Sequence, residues 1–155
     1  MAEGKRDYTK LILGLGLGVL AYFGIIVPIL QKLGIKDSPE DEANKQAINN
    51  TPGWNPNYYK GKPSPGLNRI NTLIQYAKDI KNSFDVFSWT GLIPLNDDES
   101  KISATIKQLK NQTELSLLVN SFYALYSRDL LENLTDKLST SEINPILIFA
   151  SNLPK

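Results

Sequence analysis

Residues 11–31, LILGLGLGVLAYFGIIVPILQ, carry no charge, and Lys10 and Lys32 close the run on either side. As a helix rising about 1.5 Å per residue, this run would be about 31 Å long, close to a bilayer's hydrocarbon core of ~30 Å. Lipid cannot satisfy stray backbone groups, so an isolated apolar run of this length spans best as a helix. A single transmembrane helix is therefore expected from Leu11 to at least Val27, with Pro28 near its end. Everything after Lys32 is polar and patterned like a soluble domain. The expected organisation is a polar tail (1–10), the anchor (11–31), a linker (32–66) and a helical domain (67–155).

Two other readings of the run are weaker. A cleaved signal peptide shares the basic start at Lys5, Arg6 and Lys10, but its apolar core is shorter and ends at small residues. Gly16-x-Gly18-x-x-Ala21 satisfies a loose dinucleotide-binding pattern, yet no repeated strand–helix–strand pattern follows it. Within the anchor, Gly14-x-x-x-Gly18 shares one helical face, and Ala21 continues near it. Such small residues let a second transmembrane helix approach closely, although glycine is also simply common in membrane helices. Orientation is balanced: Lys5, Arg6 and Lys10 precede the span, and Lys32, Lys36 and Lys45 follow it.

The absent residue types narrow the chemistry. There is no cysteine, hence no disulfide, thiol nucleophile or Cys-ligated metal. There is no histidine either, which removes Ser-His-Asp and Cys-His catalysis and His-ligated metals. An enzyme would have to work with carboxylates, Lys or Tyr. Formal net charge is +1, and no basic patch stands out, so nucleic acid is not an expected partner. Three glycosylation sequons, at Asn49, Asn111 and Asn133, are expected by chance in so Asn-rich a chain.

Ser38-Pro39-Glu40-Asp41 has the marks of a helix start, with the helix running to about Ile48. Residues 49–66, NNTPGWNPNYYKGKPSPG, are too rich in Pro, Gly and Asn for regular structure. This loop also carries Trp54, Tyr58 and Tyr59. Loop aromatics either pin a segment to a protein surface or sit at a membrane interface, and pinning to its own domain or a partner is the favoured reading. From Leu67 onward, apolar residues recur at three- and four-residue steps. Asn96-x-x-Glu99, Asn111-x-x-Glu114 and Ser139-x-x-Glu142 resemble capping boxes, and Arg128-Asp129 opens another segment. Pro145 is expected in the first turn of the last helix, where proline is tolerated. The spacing predicts five short helices in an all-α fold.

The stretches Asp97-Asp98-Glu99-x-x-Ile102, Ser121-Phe122-Tyr123-Ala124-Leu125-Tyr126-Ser127-Arg128-Asp129-Leu130-Leu131 and Leu134-Thr135-Asp136-Lys137-Leu138-Ser139 carry a family likeness. Together, residues 67–153 resemble one annexin repeat, where true annexins have four. The resemblance implies a compact five-helix bundle. It does not extend to the family's calcium ligands. The loop reads Gly91-Leu92-Ile93-Pro94-Leu95-Asn96 in place of Gly-x-Gly-Thr, and Lys137 stands where an acidic ligand belongs. Calcium is therefore not expected, nor is any cofactor. Arg128 and Asp129 are expected to act structurally, bridging neighbouring helices.

These readings converge on a non-enzymatic, single-pass membrane protein whose helical domain docks onto a larger assembly. Expected partners are the lipid bilayer and either other transmembrane helices or a coat protein. Single calcium-free repeats of this type resemble those in proteins of Bacteroidetes-type bacteria and their phages. The most specific expectation is a minor structural protein in the internal membrane of a phage. The alternative is a module in a bacterial inner membrane that recruits a protein or an envelope polymer.

Overall fold

A computed structural model describes residues 46–84 and 98–155. The expected anchor at 11–31, with Gly14, Gly18 and Ala21, lies outside the described residues, as does the loop from Gly91 to Asn96. Among the described residues the structure is all-helical, and no helix is long and apolar enough to cross a membrane. Residues 46–49 are helical and lead into a 3₁₀ turn, Pro52–Trp54. Five α-helices follow: α1 (Leu67–Phe84), α2 (Glu99–Ile106), α3 (Gln112–Tyr126), α4 (Leu130–Lys137) and α5 (Thr140–Ser151).

The caps explain most of the boundaries. Asn111 accepts the Glu114 N–H at 2.9 Å, and Asp129 accepts the Glu132 N–H at 3.0 Å, so each fills one orphan donor of its helix. At α5 the Glu142 carboxylate reaches back to the Ser139 N–H at 2.7 Å. Two predicted caps need correction. Spacing puts the cap of α2 at Asn96, but the residue in that position is Asp98, which accepts from the Lys101 N–H and from the Ser100 hydroxyl. Its own N–H donates to the Ser83 carbonyl, fixing the start of α2 beside the end of α1. Glu114 does not close a box with Asn111. Its carboxylate instead takes the Lys110 N–H at 2.8 Å and a partner on α1.

Pro145 is also displaced from its expected place. It is the sixth residue of α5, beyond the first turn, and leaves the Ser141 carbonyl without its helical donor. Both residues are exposed, so water can serve that carbonyl.

The core is built around α3. Every residue from Gln112 to Phe122 is buried, polar ones included, so this helix has no solvent face over three turns. Helix α1 packs along it with Leu73, Ala77 and Ile80, while α2 brings Ile102 and Ile106. Leu130 and Leu134 of α4 and Ile143, Ile146 and Leu147 of α5 complete one apolar cluster. The remaining side of α3 is covered by the 3₁₀ turn and its loop.

Candidate functional site

The loop over α3 is fastened by α3's own buried polar residues. Gly53 N–H donates to Gln112 Oε1 at 2.9 Å. The amide nitrogen of Gln112 donates in turn to the carbonyls of Ala150 and Leu153, at 2.7 and 3.1 Å. A single side chain thus joins the loop, α3 and the C-terminal end of α5. One turn further on, Ser116 Oγ donates to the Asn55 carbonyl at 2.6 Å and accepts the Tyr59 N–H at 3.1 Å. Gly53 is required by close approach: a Cβ there would lie 2.5 Å from Gln112 Oε1 and 2.8 Å from Leu115 Cδ2. The segment then advances by hydrogen-bonded turns, with N–H groups of Tyr58, Lys60 and Lys62 donating to the carbonyls of Asn55, Asn57 and Tyr59.

The three loop aromatics take different positions. Trp54 is 1% exposed and belongs to the core, with its indole N–H buried and unpaired. Tyr59 packs against the core edge, and burial pushes its phenol pKa up. Tyr58 is half-buried and carries the Lys62 ammonium 4.9 Å above its ring centre.

A second polar cluster joins α1 to α3. Arg69 grips Glu114 with two bonds, Nε to Oε1 at 2.9 Å and Nη2 to Oε2 at 2.6 Å, and Nη2 also donates to the Gln108 carbonyl. The guanidinium lies 5.6 Å over the ring of Tyr76, whose hydroxyl donates to Gln108 Oε1. Burial pushes the Glu114 carboxyl up, but Arg69 and the Lys110 N–H outweigh it, so the pKa falls below the ordinary value. The spacing of the sequence does not reveal this pair. The available signal was that Glu114 is the only charge in the fifteen residues of α3.

Arg128 and Asp129 part company. Arg128 is exposed, whereas Asp129 is 8% exposed and committed to the start of α4. Desolvation raises its pKa despite the N–H groups of Glu132 and Leu131. Among the described residues the ion pair that spans two helices is Arg69–Glu114. Glu132 and Asp136 lie exposed on α4. No group of three His, Cys, Asp or Glu among the described residues is arranged to hold a metal ion. All three sequons are closed by packing: the Asn133 amide donates to the Asp129 carbonyl, and Thr51 and Thr113 are buried.

These contacts define an α-helical bundle with a loop bound across its central helix. Most of its buried polar side chains are hydrogen-bonded, chiefly to backbone groups, an arrangement that fixes geometry. No known protein family matches the chain, and no curated protein or solved structure matches it either.

Proposed function

We propose that this chain is a non-enzymatic, membrane-anchored docking protein. The single observation that carries the proposal is the uncharged run 11–31 between Lys10 and Lys32, of bilayer length, ahead of a domain with its own apolar core. A non-catalytic role is supported by Asp129, which is occupied as a helix cap beside exposed carboxylates. The test is extraction of membranes containing the full chain. The protein should resist high salt and alkaline carbonate and dissolve in detergent; quantitative release by carbonate alone refutes the anchor.

The particular setting we propose is the internal membrane of a phage, on the strength of the annexin-repeat resemblance. A virion component co-purifies with the capsid protein in fixed ratio and leaves only when detergent strips the membrane. Recovery from cell membranes without particles favours a recruitment module instead.

A further inference from the structure

We propose that the run from Tyr58 to Leu67 is a second membrane contact, which seats the helical domain on anionic lipid headgroups. The inference rests on the membrane-anchored reading above.

Lys60 and Lys62 are both exposed, and neither ammonium meets a carboxylate among the described residues. Between Glu42 and Asp79 the chain has no acidic residue, while Lys45, Lys60, Lys62, Arg69 and Lys78 fall in that interval. The helix beneath the loop supplies only Glu114, and Arg69 already neutralises it. Among the described residues, Lys60 and Lys62 are therefore left without an acidic partner.

The lysines are also held ready. The backbone on their N-terminal side is bonded to Ser116 through Asn55 and Tyr59, and the Lys62 ammonium rests over the Tyr58 ring. The backbone that carries the lysines is thus ordered before binding, which lowers the entropy lost on contact. At the far end of the same exposed run stands Leu67, 66% exposed, a large side chain that the core does not use. Ammonium groups for phosphate, with tyrosine and leucine for the headgroup boundary, form the composition of an interfacial contact. Twenty-six residues lie between Gln31 and Tyr58, so an anchored chain keeps this run within at most about 95 Å of one bilayer.

The chain has no cysteine, so Ser64→Cys, in the middle of the run and exposed, provides a unique labelling position. The full chain carrying an environment-sensitive fluorophore there is placed in vesicles of phosphatidylcholine, alone or with phosphatidylglycerol, each containing a brominated lipid as quencher. Quenching is expected in the phosphatidylglycerol vesicles and not in phosphatidylcholine, and it should vanish at about 1 M salt, where screening acts over ~3 Å. Each lysine should favour contact about fivefold, so Lys60→Gln with Lys62→Gln should shift the equilibrium roughly thirtyfold and abolish the signal. Unchanged helical circular dichroism shows that this double variant is folded. An unquenched label in anionic vesicles overturns the proposal, as does quenching that is indifferent to lipid charge and to both lysines. A label that ignores vesicles but responds to a DNA duplex also overturns it. Carbonate treatment of the same vesicles reports on residues 11–31 separately. A stripped chain refutes the anchor, while the quenching recorded beforehand still decides the headgroup contact.

Discussion

Glu114 and Asp129 are buried carboxylates near the starts of successive helices, and their surroundings drive them in opposite directions. Glu114 is held ionised by Arg69 and the Lys110 N–H, so its folded pKa lies below the ordinary carboxylate value. The stability it contributes is present above that ordinary value and is lost as pH falls through the depressed one. Asp129 is desolvated, and its folded pKa is raised. Its carboxylate is a liability that grows as pH climbs from the ordinary value through the raised one. Substitution separates the two. Glu114→Gln should cost about 1–2 kcal/mol at neutral pH, the lower part of the range for charge-assisted bonds, because the Arg69 side chain is still 22% exposed. It should also flatten the acid limb of the stability profile, as thermal melts between neutral and acid pH will read. Asp129→Asn keeps a capping oxygen while removing the charge, so it should be neutral or stabilising at pH 7. Asp129→Ala loses the cap and about 1 kcal/mol. If Asn proves worse than Ala by chemical denaturation, the cap is not what Asp129 supplies.

At the scale of elements, the covering loop and α5 each contain a local conflict that tertiary packing has settled. Irregular backbone costs about 1–2 kcal/mol per residue to order. The loop offsets this with Trp54 in the core and three hydrogen bonds to Gln112 and Ser116 of α3. Trp54→Ala should therefore remove about 3–5 kcal/mol and release the amides of Gly53 and Tyr59 to hydrogen exchange. Trp54→Phe should lose much less, since the indole N–H has no partner to forfeit. Tyr58→Ala should leave those two amides protected, because its ring is half-buried and meets Lys62. Equal loss of protection in the Trp54→Ala and Tyr58→Ala variants would contradict this division of labour. In α5, Pro145 denies the Ser141 carbonyl a donor on an exposed face. Pro145→Ala restores that bond and should raise the melting temperature, with up to ~3 kcal/mol available. A lower melting temperature would mean that the ring makes contacts that outweigh the missing bond.

For the molecule as a whole, the enclosure of α3 is the organising feature. Helix α1, α4 and the loop all rest on it, and Leu118 at its middle is wholly buried. Leu118→Ala should cost about 2–5 kcal/mol, and hydrogen exchange in the loop, α1 and α4 should accelerate together. Acceleration confined to one element would show that the bundle does not unfold as a unit.

Much of this was legible in the chain. The apolar spacing and the capping residues Asn111, Asp129 and Ser139 are local signals, with partners within four residues, so five helices can be read without knowing the fold. The absence of histidine and cysteine likewise excludes whole chemistries by composition alone. The loop was legible only in part: its Pro and Gly content marks an irregular segment, but not which of three aromatics enters the core. That choice depends on Gln112 and Ser116, nearly sixty residues away, whose side chains gain partners only when α3 is surrounded. Arg69–Glu114 escaped for the same reason. A pair 45 residues apart has no periodicity to betray it, and an acidic residue three positions into a helix reads equally well as a cap. Local chemistry determined the elements; long-range burial decided which polar groups must meet.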